Sequence, residues 1–206
     1  MTRALIVIDV QNEYFTGKLR IAFPPVAQSL ANICRAMDAA TAAGIPVAVV
    51  QHLAPEGAPI FARGSDGAAL HPEVARRSRD CLIEKNRTSA LDGTPLADWL
   101  RQRRVDTLTV VGYMTHNCDA TTVLHAVREG WTVELLADAT GSLAYANAAG
   151  RASAEEIHRV YTVVMHSNFA AVATTDDWLA AVERRVPLPV DGILPSHRRA
   201  LDSGSD

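Results

Sequence analysis

Three residues carry groups that could do chemistry together: the carboxylate of Asp9, the ammonium of Lys85 and the thiol of Cys118. Asp9 interrupts an apolar run, with Ile6, Val7 and Ile8 before it and Val10 after it. A carboxylate there is costly unless it has a partner or a task. Lys85 closes the short run CLIEK, and Cys118 ends the turn Gly112-Tyr-Met-Thr-His-Asn-Cys118 where a helical pattern begins. Singly, each has an ordinary reading: a strand-end turn former, a surface lysine with its stem on apolar ground, a core cysteine. Together they suit nucleophilic attack on an amide carbon. A free thiol is only a few per cent thiolate at pH 7, so it needs activation. Asp9 can take the thiol proton and hand it to the departing amine. Lys85 can hold Asp9 and steady the developing thiolate. The start of a helix would lower the thiol pKa and offer free amides to an oxyanion. Cys34, within a helical pattern, and Cys81, opening a strand, read as structural.

The elements that must position these groups alternate along the chain. Apolar, β-branched runs at residues 4–10, 47–51, 81–85, 107–113, 132–137 and 169–174 read as strands. Helical patterns fill residues 26–43, 96–103, 118–129, 153 to about 165, and 176–185. Gly44 and Gly130 stand where helix-stopping glycines belong. Thr94-Pro95 reads as a cap followed by a first-turn proline, and Ser153 with Glu156 as a capping box. Residues 53–70 and 137–151 read as long loops, the latter carrying Tyr145 and Asn147. Six strands with intervening helices predict a three-layer α/β/α sandwich around a six-stranded parallel sheet. Ligands in such folds bind beyond the carboxyl ends of the strands. Asp9, Gln51, His52, Lys85 and the 112–118 turn all fall there. Residues 1–186 are expected to form one domain and residues 187–206 a partly disordered tail.

Composition narrows the class. Of 206 residues, 48% are hydrophobic and 21% charged, which excludes disordered, collagen-like, coiled-coil and disulfide-scaffold chains. A net charge of −3 gives no basic footprint, so no nucleic-acid partner is expected. No apolar run reaches the ~18 residues of a membrane span, so no membrane partner is expected either. The first nine residues are too short for a signal peptide. Three cysteines without a CxxC spacing fit a reduced, cytoplasmic protein.

Three separated motifs, VIDVQNEYF with Asp9, IEKNRTSAL with Lys85 and VVGYMTHNCDATT with Cys118, resemble those of the isochorismatase-like cysteine hydrolases. That superfamily includes nicotinamidases, N-carbamoylsarcosine amidases and ureidoacrylate or biuret hydrolases. The resemblance runs from about Ala4 to Thr174. It implies strand order 3-2-1-4-5-6, an Asp9-Lys85-Cys118 triad and a cis peptide between Tyr113 and Met114. It also implies an oxyanion hole from the main-chain amides of Met114 and Cys118. The expected reaction is hydrolysis of an amide, ureido or carbamoyl C–N bond of a small molecule through a thioester. A catalytically silent binding protein of the same fold and a vinyl ether hydrolase are the alternatives. Asn12, Phe15, His52, Phe61, Thr115 and Asn117 are candidate substrate contacts. The Asp-x-His metal motif of nicotinamidases is absent: the stretch reads Val50-Gln51-His52-Leu53-Ala54. No metal or other cofactor is therefore expected, and nicotinamide is disfavoured. The position after the nucleophile, usually small and aliphatic in the family, is Asp119. A homodimer or homotetramer is expected from the resemblance and from alanine-rich helices.

Overall fold

The computed structural model describes residues 1–203. Its main sheet contains β1 (Arg3–Ile8), β2 (Val47–His52), β3 (Cys81–Lys85), β4 (Thr107–Tyr113) and β5 (Thr132–Gly141). After a hairpin of β6 (Tyr145–Asn147) and β7 (Gly150–Ala152) comes the sixth main strand, β8 (Ala171–Ala173). All six are parallel in the order β3-β2-β1-β4-β5-β8, which is the expected 3-2-1-4-5-6. Strands β1 and β4 are buried at every position, as central strands covered on both faces must be.

Helices cover the two faces. They are α1 (Val26–Ala42), the short α2 (Pro72–Ala75), α3 (Leu96–Gln102), α4 (Ala120–Arg128), α5 (Ala154–Asn168) and α6 (Thr175–Arg184). Alternation along β1 sends Leu5 and Val7 into a core with Ile33 and Met37 of α1 and Trp178 of α6. Ala4, Ile6 and Ile8 point the other way, against Leu100 of α3, Val123 of α4 and Met165 of α5. Trp178 and Trp131 are thus core residues, and each indole N–H is bonded inside the protein. At the amino edge of the sheet, Arg3 and Glu134 form a buried two-pronged ion pair, with Nη2 2.7 Å and Nε 2.9 Å from the carboxylate. Thr109 and Trp178 also donate to Glu134.

Four segments differ from the sequence expectation. The β5 strand runs past residue 137 because its register against β4 shifts between Val110 and Gly112. Residues 137–139 bulge out, and Thr140 and Gly141 then rejoin the ladder beside Gly112 and Tyr113. The rest of the expected 137–151 loop holds the β6–β7 hairpin. Cys118 does not open a regular α-helix: a single π-helical turn spans Thr115–Asp119, and α4 starts at Ala120. The expected tail carries a further helix, α7 (Ile193–Ser203), packed against α5. Pro195 falls in its first turn, where a missing N–H costs nothing, and Asp191 pairs with Arg199 along it. Residues 204–206 of the expected tail lie outside the described residues.

Candidate active site

Local backbone geometry sets the three groups at one point. Asp9 leaves β1 with φ +51, a left-handed conformation that aspartate tolerates better than most residues. Its carboxylate is thereby turned in at the sheet edge and is completely buried. Lys85 ends β3, two strands away, paired in register with His52 of β2. Its side chain reaches back under the loops and is also completely buried. Gly112, near the end of β4, has φ +123, and a Cβ there would meet Ile8 O at 2.0 Å. Only glycine lets β4 pass this close to β1. The Tyr113–Met114 peptide that follows is cis. Amides of Asn117 and Asp119 both close on the Met114 carbonyl, at 2.9 and 3.2 Å. The Cys118 amide between them is not part of that closure.

Lys85 Nζ is the hub. It lies 2.7 Å from Asp9 Oδ2, 3.2 Å from Cys118 Sγ, 3.2 Å from His52 Nδ1 and 3.1 Å from the Arg87 carbonyl. An ammonium has three protons for these four neighbours. Asp9 is the closest of the four, and both Lys85 and the Cys118 thiol act on its carboxylate as hydrogen-bonding neighbours.

Electrostatics follow from burial. Desolvation raises the Asp9 pKa above the usual carboxylate value, and the Lys85 charge opposes it. Burial also pulls on Lys85, but attraction to Asp9 and Cys118 outweighs it and leaves the ammonium's pKa raised. The Cys118 thiol is pushed up, first by burial and then by Asp9, against the pull of Lys85. The expected lowering by a helix start is therefore not met. Cys118 is buried, faces a carboxylate and sits in a π turn rather than in the first α-helical turn. At rest the group is a thiol beside a charged pair. His52 is lowered by burial and by Lys85, so its neutral ring accepts from Nζ.

Of the candidate contacts, His52 joins the cluster directly. Phe61, at φ +53, packs on the His52 and Tyr14 rings. Phe15 stacks against His71 at 4.2 Å and lies edge-on to Tyr113. Asn12 reaches away to Asp66 Oδ1 at 3.2 Å and ties the first loop to the 53–70 loop. Thr115 is fully buried and spends its hydroxyl on Thr140 and His158. Asn117 is half-buried in the turn. His71 caps α2 through Nδ1 and the Glu73 amide, as the His71-Pro72 pair suggests. Among the described residues, no three His, Cys, Asp or Glu side chains are grouped to hold a metal.

Gln11 joins the candidates from the structure alone, whereas Asp119 and Tyr145 stand out already in the sequence. Fully buried Gln11 donates to the His52 and Ala68 carbonyls and accepts from the His52 amide, fixing the end of β2. Its only sequence signal is a polar residue two places after Asp9. Asp119 is fully buried, and neither oxygen has a partner among the described residues. A cavity of about 350 Å³ opens beside Lys85 between the ends of β2 and β3, walled by Pro55, Arg63, Glu84 and Asn86. That volume suits a small molecule.

Residues 3–177 match the isochorismatase domain family. A crystal structure of a candidate isochorismatase from Burkholderia xenovorans LB400 is 61% identical, with a TM-score of 0.98 over 99% of this chain and 98% of that one. A ureidoacrylate amidohydrolase of Methylobacterium radiotolerans is 30% identical over 91% of this chain and 81% of its own length. A secreted isochorismatase effector of Verticillium dahliae is 32% identical over 66% of this chain and 71% of its own.

Proposed function

This chain belongs to the isochorismatase family of hydrolases, and from that membership we propose that it cleaves a C–N bond of a small amide, ureido or carbamoyl compound through Cys118. The observation that carries the reading is the reach of one buried ammonium, Lys85, to both the Asp9 carboxylate and the Cys118 sulfur. As Sγ attacks the carbonyl carbon, its proton passes to Asp9. Lys85 balances the charge as it moves from carboxylate to sulfur. The oxygen of the tetrahedral intermediate lies against the Met114 and Cys118 amides, and one such donor is worth about 10²–10³ in rate. The C–N bond then breaks, and Asp9 gives its proton to the leaving nitrogen. Water attacks the resulting thioester with Asp9 again as base, and the thiol is regenerated. Because the thiol pKa is raised, transfer of its proton to Asp9 accompanies attack on the carbonyl carbon and does not precede it. A ureidoacrylate amidohydrolase among the relatives supports the C–N reading. The test is a panel of primary amides, ureido acids and carbamoyl compounds assayed for ammonia release. Acid-quenched samples of the active compound are weighed by intact mass spectrometry. An acyl adduct on Cys118 during turnover is expected. Turnover with no adduct on a peptide containing Cys118 contradicts the mechanism.

A further inference from the structure

The β6–β7 hairpin is exposed along nearly its whole length, yet it is pinned to the nucleophile turn by one residue. The hydroxyl of Tyr145 lies 3.0 Å from His116 Nε2 and 3.9 Å from Met114 Sδ. Its ring stands edge-on to the His116 ring at 5.2 Å. Tyr145 is 42% exposed, so it bridges solvent and the buried turn. Met114 is the residue whose amide the mechanism assigns to the oxyanion. Burial raises the Tyr145 pKa, and the Cys118 sulfur adds to the rise, so the phenol keeps its proton.

The hydrogen bonds around His116 say what the phenol proton is free to do. Burial and His158 push His116 down to about 4, so its ring is neutral, with one donor and one acceptor nitrogen. Ser142 Oγ lies 3.0 Å from His116 Nδ1. Ser142 is fully buried. In the tautomer whose Nδ1 accepts from the Ser142 hydroxyl, Nε2 donates to the Tyr145 oxygen, which agrees with the Tyr145 hydroxyl donating toward Met114 Sδ. The Tyr145 proton is left to a thioether sulfur, a weak acceptor. A donor oriented by half-buried His116 and buried Ser142, and opening to solvent beside the reacting turn, is an unfilled half of a hydrogen bond.

We propose that Tyr145 is a substrate-binding residue whose hydroxyl donates to an acceptor oxygen next to the scissile bond, with the β6–β7 hairpin as the arm that carries it. The inference rests on Cys118 being the attacking group. It selects substrates with a second carbonyl or a carboxylate near the amide, and His116 acts as the positioning residue for the phenol.

The test uses two alkylating probes that both transfer carbon to sulfur and release iodide. Iodoacetamide has an acceptor oxygen, and iodoethane has none. Modification of Cys118 in the full chain is followed by intact mass. Tyr145→Phe keeps the ring and removes only the hydroxyl. The half-saturating concentration of iodoacetamide should rise about tenfold, the size of one neutral hydrogen bond. The maximal rate and the iodoethane rate should stay at wild-type values. His116→Leu, which frees the phenol, should give a similar rise. Three outcomes overturn the proposal: no saturation with iodoacetamide in the wild type, an unchanged half-saturation in Tyr145→Phe, or an equal loss with both reagents. The Asp9→Asn variant separates this from failure of the mechanism, because an intact triad predicts that it slows both reagents alike.

Discussion

Asp119 offers the sharpest stability test. Its carboxyl is fully buried next to Cys118, and both oxygens lack a partner among the described residues. Burial raises its pKa well above the usual value, and Asp9 adds to the rise while Lys85 opposes it. The folded protein therefore holds this proton at pH values where the unfolded chain has released it. For such a group stability is full below the unfolded pKa and declines as pH rises toward the folded pKa, by about 1.4 kcal/mol for each pH step of one between the two values. Asp119→Asn keeps the shape and removes the titration. It should be close to wild type in stability near pH 4 and gain on it as pH rises above the ordinary carboxylate range. Asp119→Val removes both the titration and an unpaired buried polar group, so it should also be more stable than wild type at neutral pH. Urea unfolding of the three proteins from pH 4 to 9 reads both effects. The reasoning is refuted if Asp119→Asn is less stable than wild type by a constant margin across the range. That result would mean an ionised Asp119 paired with Lys85.

Other consequences are simpler. Activity should rise with pH as Asp9 loses its proton, with an acid limb above the ordinary carboxylate range; Lys85→Met should move that limb further up and cut kcat by orders of magnitude. The Asp9→Asn, Lys85→Met double variant should be little worse than either single one in steady-state assays, since such groups act as a unit. Glu134→Gln leaves Arg3 buried without its counter-charge, so chemical denaturation should show a loss of about 3–5 kcal/mol with specific activity of the folded fraction retained. Dialysis against EDTA should leave ammonia release unchanged; loss of activity that zinc restores would contradict a metal-free mechanism.

The sheet was legible because each central strand is apolar on both faces, a pattern that chain length and flanking glycines separate from helix. The meeting of Asp9 and Lys85 followed from the sheet order that the family motifs implied, since each closes a strand at the same edge. What stayed hidden depends on geometry the local pattern does not encode. A register shift in β5 carries Thr140 and Ser142 under the nucleophile turn, and no residue type between 137 and 139 announces it. Asp119 reads as an acid suited to a helix start, but the π turn rotates it inward. The same turn and the burial around it raise the Cys118 thiol that a helix start would have lowered. Tyr145 was visible as a loop residue, but its role depends on the neutrality of His116, which burial decides.

The central claim is that Cys118 is the attacking atom, and one measurement addresses it most directly. Cys118→Ala is assayed for ammonia release on the compound that wild type hydrolyses fastest, with circular dichroism confirming the fold. The account predicts no turnover above the uncatalysed rate, with Cys34→Ala and Cys81→Ala still active. Hydrolysis by Cys118→Ala at a rate near that of wild type would contradict it.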